Sequence, residues 1–90
     1  MLFEWDEDKA ESNLRKHGVS FQEARTVLRD PLSVTISDPR THDESRFIDI
    51  GQSASGRLLV VVYTERESRI RIISSRPAGQ QERKSYEEGP

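Results

Sequence analysis

Arg69 and Arg71 alternate with Ile70 and Ile72, so in a strand both guanidinium groups leave the same face. Arg76 follows at the end of that run, and Arg83 and Lys84 lie one to two turns into the tail. Guanidinium grips a phosphate in a planar two-point fork, which predicts an anion-binding sheet face. Cross-strand pairing with Asp49, Glu44, Glu65 or Glu67 is the competing explanation, and such pairs are worth little when exposed. Lys16-His17-Gly18 ends a helical stretch. Its cations either answer the helix dipole or supply a phosphate contact and an acid–base group. Glu44 and Arg46 are two apart at the start of a strand and can share a face, as an ion pair or as a base beside a phosphate clamp. Tyr86, with Glu82 one turn before it, is either the anchor of a weak helix or a hydroxyl and stacking surface for a base. His42 sits in a polar loop with nothing to orient it.

These residue types suit one chemistry in particular. An RNA's own 2′-OH can attack the adjacent phosphate without a metal, if a protein supplies a base, cations for the pentavalent transition state and a proton for the leaving 5′-oxygen. The chain has no cysteine and only two histidines, which removes thiol catalysis, disulfide frameworks and Cys-based zinc sites, so no metal and no cofactor are expected.

The elements that would position these groups follow from periodicity. Phe3-Glu4-Trp5 reads as a short strand. Asp6 then caps a helix over about 7–17, on which Ala10, Leu14 and His17 share a face, and Gly18 stops it. Ser20-Phe21-Gln22-Glu23 is a capping box, with Val19 and Ala24 placed for a staple, and it opens a second helix that ends at Asp30-Pro31. From Leu32 the period is two: strands are predicted over 32–37, 46–51, 57–64 and 69–75, linked by polar turns. The 57–64 run is apolar on both faces and should be central. The tail over 76–88 has helix formers, but only Ala78 and Tyr86 to bury, and a partner could hold it. The prediction is a single α+β domain over 1–90: two N-terminal helices packed on an antiparallel sheet of four to five strands, followed by a weak C-terminal helix.

Composition fits this reading once it is resolved along the chain. With 90 residues, 32% hydrophobic and 33% charged, the chain lies near the polar edge of what folds alone. Its net charge of −2 hides a division: residues 1–56 carry 7 basic and 11 acidic side chains, whereas 57–84 carry 7 and 3. Arginine outnumbers lysine 11 to 3. No apolar run reaches the roughly 18 residues of a membrane span and the acidic start is no signal peptide, so a cytoplasmic protein without a membrane partner is expected.

Phe3-x-Trp5-Asp6-x-x-Lys9-x-x-x-Asn13-x-x-Lys16-His17-Gly18-Val19-x-Phe21-x-x-Ala24 closely resembles the opening of the BrnT ribonuclease toxins. Asp38, Glu44-x-Arg46, Ile50-Gly51, Leu59 to Thr64 and Arg71-Ile72-Ile73-Ser74-x-Arg76 resemble the family too, and the likeness spans about residues 3–86. The resemblance implies a RelE-like fold and the toxin of a type II toxin–antitoxin system, a bacterial endoribonuclease that inhibits translation by cutting RNA. It also implies neutralisation by a BrnA-type antitoxin with a ribbon-helix-helix domain, through which alone the complex would meet operator DNA. By that likeness Lys16, His17, Glu44, Arg46, Arg71, Arg76, Arg83 and Tyr86 fall on matching positions: all but Arg83 are the expected catalytic residues, and Arg83, with Arg69 and Lys84 of the basic face, is an expected RNA contact. The chain departs from the family pattern at Pro77-Ala78-Gly79, which lowers charge and helix propensity where the tail begins. A non-catalytic protein- or nucleic-acid-binding module is the alternative reading.

Overall fold

The computed structural model describes residues 2–42 and 45–89. The chain runs β1 (Leu2–Glu4), α1 (Glu7–His17), α2 (Phe21–Val27), β2 (Val34–Ser37), β3 (Arg46–Gln52), β4 (Leu58–Arg66), β5 (Arg69–Pro77) and α3 (Gln80–Glu88). The five strands form one sheet in the order β1-β5-β4-β3-β2, with β4 at its centre as its two-sided apolar run predicts. All neighbours are antiparallel except β1, which lies parallel to β5. This parallel pairing joins residues at opposite ends of the sequence, and no local pattern announces it.

The helix ends follow from their capping residues. Asp6 accepts the Lys9 N–H at 3.1 Å, and Gly18, at φ 70°, closes α1 with its N–H on Leu14 O. Ser20 accepts the Glu23 N–H at 3.0 Å, but the Glu23 carboxylate does not return to the cap. It turns instead to Arg57, Ser53 and Ser55 on the β3–β4 turn, so the capping box is half formed. The α2 helix stops at Val27, three residues before the predicted Asp30-Pro31 boundary.

Both N-terminal helices lie on one face of the sheet. Val19, Phe21, Ala24 and Val27 pack there against Leu59, Val61, Tyr63, Ile70 and Ile72. Trp5 meets Phe21 edge to face at 6.0 Å between ring centroids. Gly51 is required where α2 crosses β3: a Cβ there would stand 2.9 Å from Ser33 Cβ and 3.0 Å from Val27 Cγ1. The buried residue of α1 is Asn13, while Leu14, expected on the packed face, is 49% exposed. Asn13 Nδ2 donates to Ser75 O (2.8 Å) and Val19 O (3.0 Å), and its Oδ1 accepts Ser75 N–H (3.1 Å). The edge of β5 beyond its short pairing with β1 is thereby paired by a side-chain amide in place of a strand. As the tail composition predicts, α3 buries no residue.

Candidate functional site

The second face of the sheet carries the arginines. Pairing runs Thr64↔Arg71, Tyr63↔Ile72, Val62↔Ser74 and Val60↔Arg76, so the register slips by one and Ile73 has no opposite residue on β4. Without that slip Arg71 and Arg76, five apart, would point to opposite sides. With it, Arg69, Arg71, Ser74 and Arg76 share the face turned away from α1 and α2. The rows across this face read Arg46–Thr64–Arg71–Glu4, then Ile36–Ile48–Val62–Ser74, then Val34–Ile50–Val60–Arg76. Basic groups thus stand at both ends of an apolar middle.

One end is a cleft of ≈ 300 Å³. Its floor is Ile36, Ile48, Ile50, Val60, Val62 and Ser74, and its walls are His17 from the end of α1, Pro39 and Arg40, Arg76, and Glu82 from α3. The Asn13 clamp explains how a helix on the far face contributes, because it fixes the last turn of α1 against the residue preceding Arg76. Arg76 Nη1 and Nη2 donate to Glu82 Oε1 and Oε2 at 3.0 and 3.2 Å. That guanidinium, with the Gly79 N–H at 2.6 Å, holds the Glu82 carboxyl below its ordinary pKa.

Asp38 braces the opposite wall. Its carboxylate receives Arg40 Nε and Nη2, both at 3.1 Å, and these hydrogen bonds lower its pKa. Arg46 Nε approaches it at 3.3 Å as an ion pair outside hydrogen-bond geometry. The other end of the face is a pocket of ≈ 220 Å³ lined by Glu4, Thr64, Arg66, Glu67, Arg69 and Arg71. There Glu4 is shared by Arg69 at 3.5 Å and Arg71 at 3.3 Å. The carboxylate partner of these two arginines is therefore on β1, outside the set offered by neighbouring strands and turns.

Among the expected site residues, His17 and Arg76 come together in the cleft, while Arg46, Arg69 and Arg71 form the other end of the same face. Lys16 is exposed and does not line the cleft. Lys84 is exposed on α3, and Arg83 borders a separate groove with Gln52, Leu58 and Tyr86. Tyr86 donates to Asp30 Oδ2 at 2.7 Å, which ties α3 to the segment after α2. Burial would raise the Asp30 pKa, but the bonds from Gln52 N–H, Tyr86 and Leu32 N–H outweigh it and hold it low. Glu44 lies outside the described residues. Arg40, Ser74 and Glu82 also line the cleft. The turn Asp38-Pro39-Arg40 held a signal for the first of these, since an aspartate two before an arginine in a turn can bracket it.

Comparison with known proteins adds to this geometry. The sequence model described as "Ribonuclease toxin, BrnT, of type II toxin-antitoxin system" matches residues 5–82. The chain belongs to the BrnT ribonuclease toxin family. Among solved structures, the 1.1 Å crystal structure of the Brucella abortus ribonuclease toxin BrnT is similar at TM-score 0.68 and 24% identity, covering 89% of this chain and 100% of that one. At that identity the likeness supports the α+β fold. No protein of curated function matches the chain in sequence. The family is one of ribonuclease toxins within toxin–antitoxin systems, so RNA and a cognate antitoxin are the partner classes membership implies. No described helix is long and apolar enough to cross a membrane.

Proposed function

We propose that this BrnT-family chain is a metal-independent endoribonuclease whose cleavage site is the cleft between His17 and Arg76. The observation that carries the reading is that these two side chains, from opposite faces of the fold, wall one cleft over an apolar floor. In the reaction the substrate 2′-oxygen loses its proton and bonds to the adjacent phosphorus. The P–O5′ bond breaks, a 2′,3′-cyclic phosphate remains, and the 5′-oxygen takes a proton. The His17 imidazole is the cleft group suited to moving one of these protons. Arg76 grips the non-bridging oxygens as charge builds in the transition state. Arg71 with Arg69, and Arg46 in the same row, receive a neighbouring phosphate: four residues along β4 separate the two ends, roughly 13 Å at strand rise. The cell-level consequence is inhibited translation, relieved by a BrnA-type ribbon-helix-helix antitoxin.

Purified protein incubated with RNA in EDTA should yield fragments ending in 2′,3′-cyclic phosphate, and His17→Ala and Arg76→Ala should suppress them. Intact RNA beside an active control, or cleavage that returns only with added Mg²⁺, overturns the proposal. The Glu4 pairing of Arg69 and Arg71 favours the second reading, in which this end of the face is an ion-paired surface of a binding module. On that reading, expression of the chain in a bacterium causes no growth arrest.

A further inference from the structure

Glu82 has a position in the cleft that the proposed reaction does not use. Its two carboxylate oxygens take both Nη atoms of Arg76, the planar two-point contact that guanidinium also makes with phosphate oxygens. Glu82 lines the same cleft as His17 and the apolar floor. Glu82 lies in the first turn of α3, a helix with no buried residue, so packing does little to fix where this turn lies. Among the described residues, the hydrogen bonds that tie this segment down are those from Ala78 N–H to Leu58 O (2.9 Å) just before it, from Gly79 N–H to Glu82 itself and, farther along, from Tyr86 to Asp30. The ion pair is half open to water, with side-chain exposures of 46% for Arg76 and 29% for Glu82, and pairs in such surroundings contribute little to folding. Glu4, by contrast, divides one carboxylate between two arginines at longer range and leaves that end of the face open to a further anion.

We propose that Glu82 is a tethered competitor for the phosphate site of Arg76: its carboxylate occupies the place of a substrate phosphate, and RNA binds by exchanging with it as the first turn of α3 leaves the cleft. The proposal rests on the reading that Arg76 receives phosphate. A phosphodiester brings its own charge and two non-bridging oxygens to the same fork, so the exchange leaves no guanidinium unpaired.

The test is fluorescence anisotropy of the full chain with a fluorescein-labelled single-stranded oligodeoxynucleotide, which lacks the attacking 2′-OH, with RNA cleavage read in parallel. Glu82→Gln should bind roughly two- to five-fold tighter, the span expected for release of an exposed ion pair. Glu82→Asp, which keeps the charge but shortens the reach, should also bind tighter, whereas Glu88→Gln on the same helix should not. In an Arg76→Ala background the gain from Glu82→Gln should vanish. Binding by Glu82→Gln no tighter than by Glu88→Gln, or a gain that persists without Arg76, overturns the proposal. If the unaltered chain leaves RNA intact while Glu82→Gln gains through Arg76, the competitor stands and the ribonuclease reading falls. If the unaltered chain cleaves RNA and Glu82→Gln gains nothing, the competitor alone falls.

Discussion

The two faces of this sheet come from the same strands and obey different rules. On the helix-covered face every buried polar group named above has a close partner: Asn13 satisfies Ser75 and Val19, Ser75 Oγ donates to Val60 O, and Asp49 accepts from Thr35 at 2.9 Å. Burial raises the Asp49 pKa, and burial followed by the nearby Asp49 charge pushes Tyr63 up to about 12, so this face favours neutral groups. On the cleft face Arg69, Arg71 and Arg76 are accessible and held by carboxylates that solvent also reaches, while the buried Asp38 anchors Arg40 and Arg46 at its margin. One face places its polar atoms for stability, and the other keeps charge available for exchange. Mutations on the two faces should therefore separate activity from folding.

The largest separation is expected at Arg76. Arg76→Ala should lower cleavage by about 10²- to 10³-fold, the usual loss when one transition-state donor is removed, with little change in thermal midpoint because its ion pair is exposed. A collapse in melting temperature would erase the contrast between the faces. Asn13→Ala tests the opposite side. It strands Ser75 N–H and the Ser75 and Val19 carbonyls, and should cost about 2–4 kcal/mol in urea unfolding. A smaller effect comes from Glu23, which Arg57 above all holds at a pKa of about 2 against an ordinary 4.5. A depressed carboxylate stabilises the fold above its unfolded pKa and loses that contribution as pH falls through the folded one. Stability should thus drop by on the order of 1–2 kcal/mol between pH 4.5 and 2, and Glu23→Gln should flatten this slope in pH-dependent thermal melts. The smallest effect is expected at Arg71, where Arg71→Ala should raise KM roughly three- to ten-fold with kcat nearly unchanged, because a flanking phosphate contact binds substrate and transition state alike. An equal loss in kcat would move Arg71 into the reacting centre.

How much of this was legible in the sequence depends on the range over which each feature is decided. The α1 span, the central place of β4 and the failure of α3 to bury anything follow from caps, periodicity and composition, all of which are local. Asn13 in the packed position expected of Leu14 was not legible, because what selects it is an unpaired strand edge 62 residues away. The partnership of Glu4 with Arg69 and Arg71 depends on a parallel pairing between the two ends of the chain. His17 and Arg76 were legible as candidates but not as neighbours. Glu82 was visible only as a companion of Tyr86, since nothing in the residue order shows that the turn after Pro77 brings it onto Arg76.

The slip at Ile73 has a consequence for comparing relatives of this chain. Along β5, identity at an aligned position does not by itself say which side of the sheet a residue serves, because one unpaired residue works like a frameshift for everything after it. A homologue that keeps the five-residue spacing but pairs this strand without the slip would carry its second guanidinium into the layer beneath the helices, whereas one that loses the unpaired residue and the slip together would keep both arginines on the cleft face. Spacing together with the unpaired residue is thus the character to trace through the family, and the arginines alone are an incomplete signature.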